Sequence, residues 1–143
     1  MSEPGKWRDG VRIVRGQSLD ALIRTPGSGR ATIFDFAGTG GEKTWIGAVT
    51  VPPKSATGLH HHGRHEVMIY VVRGRSQIRW GDRLEFAAEI GPGDFAYFTP
   101  YVPHQEANLD EREPVEFVAV RSDNERIAIK LDGAIVEQPE TVA

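Results

Sequence analysis

Four of the five histidines fall within six residues, His60, His61, His62 and His65, and Glu66 follows directly. The fifth, His104, stands alone about forty residues on, after the stretch Thr99-Pro100-Tyr101-Val102-Pro103. Neutral imidazole is the commonest side-chain metal ligand, and a neighbouring carboxylate favours a divalent first-row ion. Three imidazoles and one carboxylate leave one or two positions open on an octahedral ion, as a catalytic metal needs for water, dioxygen or substrate. With one carboxylate the shell keeps a net positive charge, so an anionic or chelating small molecule is the natural visitor.

Two backbone conformations bring these side chains together, and they select different residues. On a helix, His61 would share a face with His65, and His62 with Glu66. On extended chain, His60, His62 and Glu66 project to one side, with His61 and His65 on the other as bystanders. Gly58 and Gly63 interrupt the segment, and Val67–Val72 is apolar and β-branched, which favours the extended reading. The helical metalloprotease pattern His-Glu-x-x-His is absent. His104 would enter from a distant strand as a fourth ligand.

The elements that must carry these residues are short β-favouring runs punctuated by 16 Gly and 9 Pro. Candidate strands are Val11–Arg15, Ala31–Phe36, Thr44–Val51, Glu66–Val72, Ser76–Trp80, Arg83–Phe86, Asp94–Phe98, Gln105–Asn108, Val115–Arg121, Ile127–Leu131 and Ala134–Glu137. Gly38-Thr39-Gly40-Gly41 reads as a turn, Gly81-Asp82 as a short hairpin, and Leu19–Ile23 as a single helical turn. No run keeps a helical period over a helix's length. An all-β antiparallel sandwich or barrel follows, as one domain over residues 1–143 with a short N-terminal arm and a C-terminal extension.

Composition narrows the function classes. Charged residues make up 26% of the chain and the net charge is −3, so a basic nucleic-acid surface is not expected. Cysteine is absent, which excludes disulfides, thiolate metal sites and cysteine nucleophiles. The N-terminus lacks the apolar region of a secretory signal, and no apolar run is long enough to span a bilayer. A cytoplasmic protein without membrane or nucleic-acid partners is the expectation.

At the histidines the chain resembles the cupin superfamily, in particular its small single-domain members of the cupin 2 conserved-barrel type. The first motif of that family has Gly, His-x-His, three or four residues, Glu, and a closing Gly. Here it reads Gly58-Leu59-His60-His61-His62-Gly63-Arg64-His65-Glu66, and the closing Gly74 falls one place late. The second motif is matched by Gly93-Asp94, the run Phe95–Thr99, Pro100-Tyr101-Val102-Pro103-His104 and Asn108, without the Gly common in the Pro turn. The motifs cover residues 58–74 and 91–108, within a barrel core of about 30–121.

The resemblance implies a double-stranded β-helix, or jelly-roll barrel, with His60, His62, Glu66 and His104 as metal ligands. Mn²⁺ or Fe²⁺ is the expected ion, with Ni²⁺, Co²⁺ or Zn²⁺ as alternatives. It also implies a homodimer, with end strands pairing across the interface. The implied activity is a metal-dependent small-molecule enzyme, oxygenase-type ahead of lyase or isomerase; the alternative is a non-catalytic, metal-assisted binding or sensor cupin. Alternation beyond Glu66 would put Met68, Tyr70 and Val72 inside the barrel, and makes Tyr70 the candidate catalytic acid, base or substrate anchor.

Overall fold

The computed structural model describes residues 7–13, 24–25, 30–34, 43–123 and 127–143; they contain thirteen strands and no helix. β1 (Arg24–Thr25) and β2 (Arg30–Phe34) precede the long β3 (Thr44–Val51). The two-residue strands β4 (Ser55–Ala56) and β5 (His60–His61) lead to β6 (Val67–Arg73). β7 (Ser76–Trp80), β8 (Phe86–Ile90) and β9 (Phe95–Phe98) follow, then β10 (His104–Asn108) and β11 (Val115–Ser122). β12 (Ile129–Lys130) and β13 (Glu140–Thr141) are the last.

These strands form two sheets, ordered β1-β2-β3-β11-β6-β9 and β12-β5-β10-β7-β8-β13, with β4 also on β10. Every pairing is antiparallel except β13 on β8. Period-2 patterning builds the core. In β3 the alternate residues Trp45, Gly47, Val49 and Val51 are buried, and in β11 so are Val115, Phe117, Ala119 and Arg121. Their apolar members pack with Val67, Ile69, Ile78 and Phe98 into one cluster. A strand with one buried face cannot slip by a residue without turning that face to water, so the register is firmly set.

The β7–β8 connection differs from the expected hairpin. Trp80 pairs with Phe86, so the loop runs over residues 81–85, and β8 continues to Ile90 where the sequence suggested a strand over Arg83–Phe86. The reason is Leu84, which turns into the left-handed region at φ 51° and is fully buried. Arg79 then caps the loop by donating two hydrogen bonds to the Leu84 carbonyl, at 2.8 and 3.1 Å. Two further expectations fail. Val11–Ile13, the described part of the strand expected over Val11–Arg15, is irregular, and the terminal pairing is by Glu140–Thr141 in place of Ala134–Glu137. The expected helical turn at Leu19–Ile23 and the turn at Gly38-Thr39-Gly40-Gly41 lie outside the described residues.

Candidate metal centre

β5 and β10 are neighbours, and their register sets His60 directly opposite His104. His62, just past β5, completes a triangle with ring centroids 4.9 Å from His60 and 5.1 Å from His104; His60 and His104 are 4.3 Å apart. One ring nitrogen from each of the three lies within 4.8 Å of the others. Phe98, a member of the core cluster, packs against His104 with ring centroids 4.5 Å apart and the planes tilted by 41°.

The other ring nitrogen of each histidine is held by the backbone. Nδ1 sits 2.7 Å from the Gly58 carbonyl in His60, 2.8 Å from that of Ile127 in His62, and 3.0 Å from that of Val102 in His104. A carbonyl only accepts, so each Nδ1 must carry the hydrogen. In the neutral ring that leaves Nε2 as a lone-pair donor, the tautomer that a metal ligand requires. Burial, then the nearby His104 and His60, hold the His62 pKa at about 3, although the Ile127 carbonyl and Glu106 pull it upward. His62 is therefore neutral at ordinary pH. Three imidazoles so held, His62 and His104 buried and His60 half-buried, fit a divalent cation.

Sequence alternation fails at one turn. Gly63 adopts φ +57°, and the His65 amide donates to the His62 carbonyl at 3.2 Å. The turn adds one residue to the alternation, so His65 rather than Glu66 points inward, followed by Val67, Ile69 and Val71. Glu66 lies on the outer face, where it accepts a hydrogen bond from Tyr97 Oη at 2.7 Å. The structure thus brings His60, His62 and His104 together and leaves Glu66 apart. Tyr70 is displaced for the same reason: it lies outward, 40% exposed, against Phe95 at 4.8 Å, and is not placed for catalysis beside the histidines. Met68 and Val72 are outward too, against expectation. His61 is half-buried beside Tyr101, whereas His65, expected as a bystander on the opposite side of the strand, is 1% exposed.

The carboxylate that does approach the histidines is one the sequence reading passed over. Glu106 follows His104 by two on β10, so both point inward, and its Oε1 is 3.5 Å from His104 Nε2. That separation is too long for a well-formed hydrogen bond, so the pair interacts chiefly by charge. Thr57 fixes the other oxygen, its Oγ1 donating to Glu106 Oε2 at 3.0 Å and accepting from the Glu106 amide at 3.0 Å. Burial alone would raise the Glu106 pKa, but His104, His60 and Thr57 bring it down to about 2. Burial likewise lowers that of His104, and Glu106 with the Val102 carbonyl more than reverses it, to a net rise. The period-2 position of Glu106 after His104 was the signal available in the sequence.

Two cavities flank the cluster. A small one, about 30 Å³, is lined by His62, Glu106, Thr57, Trp45 and Arg121 among apolar strand residues, with the Arg121 guanidinium 3.9 Å over the Trp45 ring. A larger apolar one, about 390 Å³, lies between β7–β8 and β9 and includes none of the histidines. The smaller is the one that belongs with the chemistry, because the polar groups converge there. Among the described residues, no helix is long and apolar enough to cross a membrane.

Known proteins place this architecture. The solved structures similar to it include an uncharacterized conserved protein with a double-stranded β-helix domain from Klebsiella pneumoniae (TM-score 0.67, 17% identity, 86% of this chain and 99% of that one). The polyketide cyclase RemF from Streptomyces resistomycificus is similar at TM-score 0.70 and 22% identity, over 90% of this chain and 89% of that one. Bacillus subtilis oxalate decarboxylase OxdC, as a deletion mutant, is similar at TM-score 0.65 and 20% identity, over 77% of this chain but only 30% of that one. Such identities carry the fold and no more. No curated protein matches the sequence. The Cupin 2 family model, a cupin domain, matches residues 47–121, more than half of the chain and the span that carries all three clustered histidines. The chain belongs to the cupin family.

Proposed function

We propose that this cupin is a metal-dependent enzyme acting on a small oxygen-donor molecule, with His60, His62 and His104 holding the ion. The observation that carries this reading is the backbone carbonyl on each Nδ1, which leaves the three Nε2 atoms as the ones able to meet an ion. Without a cation, that arrangement leaves His104 Nε2 buried with no hydrogen-bond partner among the described residues, a cost that a bound cation removes. A divalent ion would supply Lewis acidity and, as Mn²⁺ or Fe²⁺, a route to dioxygen chemistry. The chain's own groups would orient the ligand and exclude water: Phe98 closes one side, and Trp45, Thr57 and Arg121 line the other. The oxygenase type remains the first reading, ahead of lyase or isomerase. The test is oxygen uptake by Fe(II)- or Mn(II)-loaded protein across enolic, phenolic and small carboxylate substrates. Uptake tied to one class is expected; no uptake or other turnover with any of them would refute the enzymatic reading.

The size of the cavity beside the histidines, about 30 Å³, favours a second reading: a cupin that holds a small ligand through the metal without turning it over. That volume accommodates about two waters. A ligand recovered unchanged after long incubation with loaded protein would select this reading. Self-association belongs to the same proposal. Met68, Tyr70 and Val72 of β6 and Phe95 and Tyr97 of the edge strand β9 form an exposed strip on the outer face, and a second copy paired antiparallel at that edge would cover it. Analytical ultracentrifugation is expected to give a dimer that F95D dissociates; a monomeric wild type would remove this part.

A further inference from the structure

A centre of three neutral imidazoles leaves the full charge of a divalent ion in a buried site. The expected counter-charge, Glu66, lies on the outer face, and the inward positions on either side of it are His65 and Val67, neither of them acidic. Among the described residues one acidic side chain is buried, and it is Glu106. We propose that Glu106 supplies the carboxylate of the metal centre, so that the acidic ligand comes from the His104 strand and not from the segment that carries His60 and His62. This rests on the three-histidine reading above and adds to it.

Three features of the geometry support the assignment. First, residues two apart on a strand share a face, and the register of β10 is pinned on both sides, by His60 opposite His104 and by Ile78 opposite Glu106. Second, the two carboxylate oxygens have different surroundings. Thr57 Oγ1 donates to Oε2 at 3.0 Å, while Oε1 is turned to His104 Nε2, the atom that would donate to the ion. Third, a buried carboxylate is costly unless a cation or several donors compensate it. Arg121 lines the same cavity, and among the histidines it is His104 that lies at short range from Glu106, at 3.5 Å.

The test compares untagged wild-type protein with E106Q, E106D and E66Q, using Co²⁺ as the probe. Affinity is read by competition with a chromophoric chelator, and coordination by the visible d–d spectrum and the infrared carboxylate bands that shift on metal addition. The expected result is that E106Q weakens Co²⁺ binding at least tenfold, alters the visible spectrum and abolishes the metal-induced carboxylate shift. E66Q should keep all three as in wild type. E106D, which retains the charge on a shorter arm, should keep a carboxylate shift with weakened affinity; it also serves if E106Q does not fold. A carboxylate shift that persists in E106Q and disappears in E66Q would overturn the assignment. So would wild-type affinity and spectra in E106Q, with the three-histidine site intact. Failure of wild-type protein itself to bind Co²⁺ would remove the three-histidine reading and this one with it.

Discussion

Gly63 lets the chain place His62 inside the barrel and then release Glu66 to the surface, so Gly63→Ala tests both the fold of the turn and the integrity of the site. Two costs are added. An L-residue with a Cβ at φ +57° is in the left-handed region, which costs about 1–2 kcal/mol. The new Cβ would also lie 3.0 Å from Ile127 Cγ2, tight enough that Ile127 must give by a few tenths of an ångström. At about 4 °C per kcal/mol for a domain of this size, the backbone term alone lowers the apo melting temperature by about 4–8 °C. The displacement matters for function because the Ile127 carbonyl holds His62 Nδ1 at 2.8 Å. Disturbing such a partner behind a metal ligand costs about tenfold or more in affinity.

Differential scanning calorimetry of the apo protein and chelator competition with Co²⁺ read the two effects separately. Gly63→Asn should lose less stability than Ala, since Asn tolerates the left-handed region. The double variant G63A/I127A removes the crowding methyl and should recover metal affinity in part, while leaving the backbone cost in place. If G63A melted within 1 °C of wild type and bound metal equally well, the turn would not be what sets the site, and the placement of Glu66 would need another cause.

The remaining predictions address individual side chains. H60A, H62A and H104A should each strip most of the metal, whereas H61A should keep it; elemental analysis of untagged protein reads the stoichiometry. Both His65 nitrogens are buried with no hydrogen-bond partner among the described residues, so His65→Leu should leave the stability unchanged or raise it by up to about 1 kcal/mol, and a loss of several kcal/mol would refute this. Asn108→Ala should cost about 2–3 kcal/mol in chemical denaturation, because the buried amide donates to the Val51 and Glu113 carbonyls and its oxygen accepts from the Asp110 amide. Asp110 accepts from the Glu113 and Arg112 amides, which depress its pKa below the carboxylate reference of 3.8. Its stabilisation is therefore present above that reference and lost as pH falls through the lower folded value, and D110N should flatten this acid limb of the stability profile.

The architecture was legible because alternation survives wherever a strand is uninterrupted. Thr44–Val51 and Val115–Arg121 are placed as the sequence suggests, and the buried face of β3 is the expected one. The clustering of His60, His62 and His104 was legible too, since His-x-His on extended chain and a Pro-stiffened approach to His104 were both visible. What was not legible depends on single residues in the left-handed region. Leu84 lengthened a hairpin, and Gly63 inverted the face of all of β6, taking Glu66, Met68, Tyr70 and Val72 outward together. One clue was present in the spacing. Gly74 falls one place late for the family motif, and a residue added ahead of β6 moves the inward positions after His62 from Glu66 to His65 and Val67.

That shift and the burial of Glu106 are two sides of one design. If the carboxylate came from β6, the inner face of that strand would be committed to the metal; with Glu106 on β10, Val67, Ile69 and Val71 are free to complete the core. The site then depends on two adjacent strands, β5 and β10, with Ile127 and Thr57 positioning His62 and Glu106. Strand pairing, rather than contact across the core, sets the distance between His60 and His104. Conservative changes on β6, such as Val71→Ala, should therefore lower stability by about 0.5–2.5 kcal/mol while leaving metal affinity within about threefold, whereas loosening the β10–Thr57 contact with Thr57→Val should do the reverse. A Thr57→Val protein that binds metal as wild type does, or a Val71→Ala protein that loses the metal, would break this division between the strands that hold the core and those that hold the ion.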